Sequence, residues 1–428
     1  MSCLDNLVRT CARVYVMKLS EELQARGFVY QHSADLAEIL DGPKRTIYLG
    51  IDPTADAIHL GNLVPYMLLM HLARAGHRVL LLLGGATALI GDPSGRDTER
   101  VLADPAVIAA QAARMQEHIS KLTDGAVEFV NNYDWLSQLS AIEYLRDVGK
   151  HFTVNAMIKK DSVATRMASE QGISYTEFSY ALLQSYDYFH LHQTYGCDVQ
   201  IGGSDQWGNL VSGIDYIRRR TGDTVYALTM ALVVDKVTGK KYGKSMGNAV
   251  WLDAEKTTPY ELYQFLYNTS DENVIDHLKL FTFLSLDEIE QIQCTHSADP
   301  ARRHAQETLA HTIVAFIHGT EAATRCQQVS ALLFGTATLS DFSASDQASI
   351  MSFAPTFQIS AGQPVVDAVV ALGLAQSKRE AREFIEAGAI SFGAETVTSP
   401  VSLVTEALIG TGTIVKRGKK IRLFVTLQ

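Results

Sequence analysis

Only five cysteines occur in 428 residues: Cys3, Cys11, Cys197, Cys294 and Cys326. They are odd in number, scattered and without a Cys-x-x-Cys pair, which excludes a disulfide framework and a zinc finger and points to a reducing compartment, the cytoplasm. Long hydrophobic runs are missing too. The longest, VLLLLGGATALIG from Val79, is split by a glycine pair and falls short of the roughly 20 apolar residues that cross a bilayer. At the N-terminus Asp5, Arg9, Arg13 and Lys18 follow at close intervals, so no uninterrupted signal-peptide core is present. Positive charge is in deficit, with 37 Lys and Arg against 47 Asp and Glu for a net −10. That argues against indiscriminate binding to nucleic acid and leaves room for a local basic surface. No internal repeat is found. What is abundant is apolar content, at 47%, enough for large cores in two or three domains.

The pattern along the chain alternates from residue 47. A β-like run, TIYLGI, leads through a polar turn into a helix-like stretch, NLVPYMLLMHLARAG, which Gly76 closes, and HRVLLLLGG then reads as a fully buried strand. Pro65 falls near the helix start, where a missing N–H costs least. This βαβ unit belongs to an open parallel sheet, in which ligands sit beyond the carboxyl ends of the strands. The loops DPTADAIHLGN and GDPSGRDTERV then face one crevice, and a third loop, IGGSDQWGN, follows the strand-like CDVQI. Residues 246–335 read as helical, with apolar spacings of three and four in TPYELYQFLYNT and ARRHAQETLAHTIVAFIHG. The Ser, Ala and Thr-rich stretch 336–360 reads as a linker. The last part, 361–428, is compact again and holds eight basic against six acidic side chains, a net +2 that leaves −12 for the rest. Its cations bunch in SKREAR (Lys378, Arg379, Arg382) and KRGKKIR (Lys416, Arg417, Lys419, Lys420).

Several short constellations carry chemistry, each with a duller alternative. HLGN sits at a helix start, where unpaired N–H groups and a partial positive charge suit a phosphate. His59 and Asn62, one turn apart, add donors there, and Gly61 leaves the backbone bare for a flat ring; simple helix capping is the alternative. KYGKS places Lys241 and Lys244 in a segment with little apolar content, suited to charge appearing on a leaving polyphosphate. A Walker A loop fails, because the required first glycine falls at Thr238; solvated surface lysines remain open. GGSDQWGN is nearly a nucleophile elbow around Ser204, but its last glycine falls at Gln206. His190, His192, Cys197 and Asp198 match no known metal-ligand spacing and read as structural. Tyr180, Gln184 and Asp187, four and three residues apart, share one helical face. Burying them is costly unless a polar ligand meets them, and a wet helix face is the alternative.

The order of these elements, with DPTADAIHLGN, GGATALIGDPSGR, NNYDWL, DVGKHFTVN, EFSYALLQSYDY, QIGGSDQWGN and KYGKS, resembles the bacterial tyrosyl-tRNA synthetases, a class I family. The likeness spans nearly the whole chain. The tail VVDAVVALGLAQSKREAREFIEAGAISFG is similar to a small RNA-binding module shared with a ribosomal protein. The fold implied is α/β: a Rossmann-like parallel-sheet catalytic domain (1–245), an α-helical anticodon-side domain (246–335), the linker, and a small α+β RNA-binding domain (361–428). The activity implied is tyrosine activation by ATP, with release of pyrophosphate, followed by transfer to tRNA(Tyr). No covalent enzyme intermediate is expected, which suits the missing nucleophile.

Carried over residue by residue, Tyr48 and Asp187 hydrogen-bond the phenol, Asp92, Tyr180 and Gln184 hold the ammonium, and Gln206 lies near the carboxylate. Asp205 meets the ATP ribose and Gly61 the adenine, with Asp52, Asn62 and Gly203 in the nucleotide set. Thr54, His59, Lys241, Lys244 and Ser245 reach the departing phosphates. Mg²⁺ accompanies ATP without an all-protein cage. Lys378, Arg379, Arg382, Lys416, Arg417, Lys419 and Lys420 are the implied tRNA contacts. A homodimer is implied, with DVGKHFTVN near its interface. Asn62 stands where the wider class has a second histidine, and Ser245 where some relatives have threonine; an amide still donates. A site built for a hydroxyl rejects the analogue lacking it without editing, a rule for which this family is itself the standard example, and no editing domain is apparent. Tryptophanyl-tRNA synthetase is the nearest rival, although Tyr48 with Asp187 suits a phenol. A small nucleotidylyltransferase and a non-enzymatic RNA-binding protein leave more of the chain without work.

Overall fold

The run TIYLGI is the central strand of a six-stranded sheet. The computed structural model describes residues 17–428 apart from 56, 95–102, 169–171, 240–241, 243, 246–247, 335–346, 348–349, 351–355, 394, 410–411, 419–420 and 428. Among these residues the sheet comprises β1 (Gln31–His32), β2 (Thr46–Ile51), β3 (Arg78–Leu83), β4 (Glu128–Asn131), β5 (Cys197–Gly203) and β6 (Tyr226–Met230), in the order β1-β6-β5-β2-β3-β4. All neighbours pair in parallel except the short edge strand β1, which is antiparallel to β6. β3 reads RVLLLL, and every residue after Arg78 is buried, as a parallel strand covered on both faces requires.

The crossover from β2 to β3 is helix α1 (Leu63–Arg74), nine of whose twelve residues are buried, so it is sealed on most sides. Pro65 is its third residue, within the first turn, where its missing N–H breaks no helical bond. Gly76 ends the segment at φ +91°, a left-handed conformation that costs glycine little. Further helices α2 (Pro105–Thr123), α3 (Tyr175–Tyr195), α4 (Trp207–Thr221) and α5 (Asp271–Phe281) complete the parts used below. The Ser174 side chain accepts from the N–H of Glu177 to start α3, and left-handed Gly196 stops it. A two-stranded hairpin, β7 (Lys244–Ser245) and β8 (Asn248–Ala249), follows β6.

The chain runs from β2 through β3 to β4 toward one edge, then returns to lay β5 and β6 on the other side of β2. β2 and β5 therefore flank the switch point at which such sheets open a crevice. This is the α/β architecture expected from the sequence.

The chain divides into two compact units, Met1–Asp253 with Ser270–Cys294, and Ala254–Thr269 with Thr295–Gln428. The second unit contains the helices Pro259–Tyr267, His304–His318 and Thr320–Phe334 and a second sheet. That sheet is formed by β9 (Thr356–Ile359), β10 (Ile390–Phe392), β11 (Glu395–Val397), β12 (Thr413–Arg417) and β13 (Ile421–Leu427), in the order β11-β10-β12-β13-β9. Its core includes Val365, Val369, Ala381, Ile385, Ile390 and Val415. Thr356–Ile359, assigned to the linker by composition, is a strand that pairs in parallel with β13. Among the described residues no helix is long and apolar enough to cross a membrane.

Candidate active site

The carboxyl ends of β2, β5 and β6 open onto a cavity of about 620 Å³. At its inner end lies Asp187, buried on α3. Both of its carboxylate oxygens are engaged: Trp135 Nε1 donates to Oδ1 at 2.8 Å and Asn132 Nδ2 to Oδ2 at 2.9 Å. Burial nonetheless pushes its pKa up to about 7, the two donors opposing and the Asp52 charge adding to the rise. Beside it Tyr48, in the middle of β2, is fully buried, and its hydroxyl has no hydrogen-bond partner. Burial first, and the Asp187 charge second, hold that phenol well above its usual range. An acceptor with restrained geometry and an unengaged hydroxyl thus share one wall of the cavity, an arrangement that a ligand hydroxyl satisfies by donating to one and accepting from the other.

A hydrogen-bonded chain ties this end to the next. The same Asn132 amide donates to Thr87 Oγ1 at 2.9 Å, the Thr87 hydroxyl donates to Asp52 Oδ1 at 2.8 Å, and the Tyr180 hydroxyl donates to Asp52 Oδ2 at 3.1 Å. Asp52, expected in the nucleotide set, is directed by these bonds toward the Tyr180 side of the cavity. Gly84 makes room for them: a Cβ there would lie 2.1 Å from Asp52 Oδ1 and 2.5 Å from Thr87 Oγ1. Trp135 is itself fixed by stacking on His190, with ring centroids 4.3 Å apart. Gln184, one turn from both Tyr180 and Asp187, completes the α3 face, and its buried Oε1 has no partner. The three residues read from helical spacing do share the cavity wall.

Asp92 also lines the cavity. Its Oδ1 accepts from the N–H of Ser94 at 2.9 Å and its Oδ2 from Gln206 Nε2 at 2.6 Å, while Asn209 Nδ2 donates to Gln206 Oε1 at 3.2 Å. Near Asp92 lies Lys160, whose buried Nζ has no hydrogen-bond partner. Burial lowers its pKa to about 8, with Asp92 opposing the fall. Sequence reasoning assigned no part to Thr87, Asn132, Trp135, Lys160 or Asn209. The NNYDWL string, in which Asn132 and Trp135 stand three residues apart, was the one trace of two of them.

The mouth of the cavity holds Gly203, Asp205, Gly61 and Asn62. Asp205 is exposed there. Residues 60–62 form a 3-10 turn leading into α1, and neither His59 nor Asn62 caps it with its side chain. His59 instead sets its ring edge-on to Trp251, at 6.2 Å. Thr54 is exposed on the turn after β2, and neither Thr54 nor His59 is part of the cavity wall. Gly61 has a further reason to be glycine besides access for a flat ring: a Cβ would stand 2.5 Å from the carbonyl oxygen of Tyr242. Lys241 lies outside the described residues, and Lys244 and Ser245 are described only as backbone, in β7.

The His190, His192, Cys197 and Asp198 set takes separate structural parts. His192 pairs with the Cys197 carbonyl at 2.9 Å and with Asp223 at 3.1 Å, Asp198 bonds Arg45 at 2.5 Å, and Cys197 is buried. In the second unit, Lys378, Arg379 and Arg382 stand exposed on the helix Lys378–Glu386, Lys378 bridging to Asp367 at 2.7 Å and Arg379 to Glu383 at 3.1 Å. Lys416 and Arg417 lie on β12. The Arg417 guanidinium stacks over Phe384 at 5.0 Å and donates to the Leu374 carbonyl, so it holds the module together. Lys419 and Lys420 lie outside the described residues.

A family model for tRNA synthetases class I (W and Y) matches residues 41–335, and one for the tyrosine–tRNA ligase SYY-like C-terminal domain matches residues 346–425. The chain is 44% identical over 412 residues to the tyrosine–tRNA ligase of Laribacter hongkongensis, covering 94% of this chain and 96% of that one. It is 42% identical over 415 residues to the tyrosine–tRNA ligase of Lactococcus lactis subsp. cremoris, covering 94% and 98%. Among solved structures, a C-terminally truncated mitochondrial tyrosyl-tRNA synthetase from Aspergillus nidulans superposes with a TM-score of 0.67 at 32% identity, covering 73% of this chain and 92% of that chain. A cavity at the switch point of a parallel sheet, walled at its inner end by a tyrosine and an aspartate, accompanies these likenesses, and the chain belongs to the tyrosine–tRNA ligase family of class I tRNA synthetases.

Proposed function

We propose that the chain activates L-tyrosine with ATP and transfers the tyrosyl group to the 3′ end of tRNA(Tyr). In the first step a carboxylate oxygen of tyrosine attacks the α-phosphorus, the bond to the bridging oxygen breaks, and pyrophosphate leaves with the electron pair. In the second a hydroxyl of the terminal ribose attacks the mixed anhydride and AMP departs. Neither step needs a protein nucleophile; positioning and charge stabilisation suffice. ATP enters as its Mg²⁺ complex.

The observation that carries this reading is the unpartnered Tyr48 hydroxyl beside the doubly bonded Asp187 in a buried wall. The phenol of the substrate donates to Asp187 and accepts from Tyr48. Asp92 and the Tyr180 hydroxyl flank the ammonium with Gln184, while Gln206, held between Asp92 and Asn209, lies by the carboxylate. Asp52 acts by holding Tyr180. Gly61, Asn62, Gly203 and Asp205 receive adenosine, and Thr54, His59, Lys241, Lys244 and Ser245 meet the phosphates.

Residues 246–335 serve as the anticodon-side domain and 361–428 as the RNA-binding module, joined by 336–360. Lys378, Arg379 and Arg382 are the accessible phosphate contacts of that module, and Lys416, Lys419 and Lys420 add to them. The enzyme works in the cytoplasm as a homodimer. Ile142, Leu145, Val154, Met167 and Tyr175 are large apolar side chains more than half exposed, which supports a partner surface around DVGKHFTVN.

Charging of tRNA with labelled tyrosine, ATP and Mg²⁺ tests the proposal: tyrosyl-tRNA is expected with one AMP and one pyrophosphate per ester. ATP turnover without charging, or charging with tryptophan in place of tyrosine, would count against it. Removing residues 361–428 should leave adenylate formation intact and abolish charging, and equal charging by the shortened chain would overturn the RNA-binding assignment.

A further inference from the structure

HLGN and KYGKS meet through one aromatic residue to which the sequence assigns no role. Tyr242 stands between Lys241 and Lys244 in DKVTGKKYGKSMGN, a segment with little apolar content. It is nevertheless buried. Its ring lies 4.1 Å from that of His277 and 5.6 Å from that of Phe281, centroid to centroid, both on α5. Its N–H donates to the Val233 carbonyl at 3.0 Å, and its own carbonyl fills the space that a side chain at residue 61 would need.

The strands of chain on either side are fastened to the same neighbours. Before Tyr242, the N–H of Lys236 donates to Asn273 Oδ1 at 3.0 Å and its ammonium pairs with Asp276 at 2.5 Å, both on α5. After it, Leu60 N–H donates to the Val250 carbonyl at 2.7 Å and Leu252 N–H to the Ile58 carbonyl at 2.8 Å, which pairs His59 with Trp251 in an antiparallel bridge.

We propose that Tyr242 is a positioning residue that seats its own backbone on α5 and against Gly61, so that the chain on either side of it leaves from a fixed point beside the HLGN turn. Its ring, packed against His277 and Phe281, performs this seating. The proposal rests on the activation chemistry proposed above. Burial of a large apolar ring offsets the backbone entropy of holding one or two residues in place, and nothing else in the segment offers such a ring. With that anchor removed, bound ATP must order the lysines itself, and the loss appears in the activation step rather than in tyrosine affinity.

The test compares Tyr242→Ala with Tyr242→Phe in the full chain. Tyr242→Ala should lower the single-turnover rate constant of tyrosyl-adenylate formation about 10- to 100-fold, with tyrosine affinity by equilibrium dialysis within about twofold of the parent; Tyr242→Phe should restore the parent rate. A Tyr242→Ala rate within twofold of the parent, an equal loss of tyrosine affinity, or a Tyr242→Phe as slow as Tyr242→Ala would each overturn the proposal. Hydrogen exchange supplies a readout independent of chemistry: the amides of Leu60 and Leu252 should lose protection in Tyr242→Ala and keep it in Tyr242→Phe. Unchanged protection there contradicts the seat even if the parent chain makes no adenylate, an outcome that would sink the activation reading separately.

Discussion

The two ends of the cavity are built on different principles. At the inner end, Asp187, Asn132, Thr87, Asp52 and Tyr180 are joined by side-chain hydrogen bonds of 2.8 to 3.1 Å and lie among β2, β3, β4 and α3. Of the residues expected to meet phosphate, Thr54 and His59 sit on the loop after β2, outside the cavity wall, and Lys244 and Ser245 on a two-stranded hairpin; a few backbone bonds and one buried ring hold these segments. The contrast follows from the chemistry asked of each end. Telling a phenol from a phenyl ring depends on polar groups that cannot relax when the hydroxyl is missing, so they must be buried and mutually restrained. Stabilising a leaving pyrophosphate depends on cations that gather as charge develops, which a rigid buried lysine does poorly.

The largest effect that would break the contrast is at Asp187. Asp187→Ala removes the phenol acceptor and strands the Asn132 and Trp135 donors, so kcat/KM for tyrosine should fall by 4 kcal/mol or more, roughly 10³-fold. Unchanged tyrosine-dependent pyrophosphate exchange would place recognition elsewhere. At the mouth, Lys244→Ala should cost about 3 to 4 kcal/mol in single-turnover adenylate formation, by analogy with loss of one oxyanion donor, and leave tyrosine affinity unaltered. A variant within twofold of the parent refutes the lysine's role.

The third prediction concerns pH. Asp187 ionises near 7 in the folded chain and at the ordinary carboxylate value of about 4 when unfolded. Below both values the carboxyl is protonated in either state and costs nothing. As pH rises from about 4 to 7 the unfolded chain releases the proton first and folded stability falls, by a few kcal/mol. Asp187→Asn lacks that ionisation, so its stability relative to the parent should improve over the same window while tyrosine activation is lost. Denaturant melts at pH 4, 5.5 and 7.5 check this, and a difference constant across the window contradicts the buried-carboxylate account. The smallest effect is at Gly84. Gly84→Ala pushes a methyl against the Asp52 carboxylate and the Thr87 hydroxyl, at a cost of about 1 to 3 kcal/mol. A raised KM for tyrosine with an unchanged KM for ATP would place the damage at the inner end, and the reverse split would move Asp52 back to the nucleotide.

The same contrast governed what could be read from the sequence. TIYLGI, the α1 stretch and RVLLLL were legible because burial on one or both faces imposes a period of two, a period of 3.6, or none. The Tyr180, Gln184 and Asp187 face was legible because helical spacing is local. The relay through Thr87 and Asn132 was not, since it joins residues 35 to 55 positions apart whose partners are decided by the packing of strands and not by any local rule. Asp52 shows the same limit: the family resemblance put it in the nucleotide set, and its hydrogen bonds lead toward Thr87 and Tyr180. Gly61 was read as an opening toward ligand, whereas part of the space beside it is taken by the Tyr242 carbonyl. Arg417 looked like one more surface cation in a basic run, and its guanidinium is spent on Phe384 and Leu374. Strand β9 was hidden because its four residues sit in a Ser, Ala and Thr-rich stretch and pair with the far end of the chain.

Amino-acid-dependent exchange of labelled pyrophosphate into ATP, run in parallel with tyrosine, phenylalanine and tryptophan, bears most directly on the claim that a paired carboxylate and hydroxyl select a phenol. Exchange with tyrosine and background counts with the other two is the predicted result. Comparable exchange with phenylalanine or tryptophan, or none with tyrosine, would contradict it.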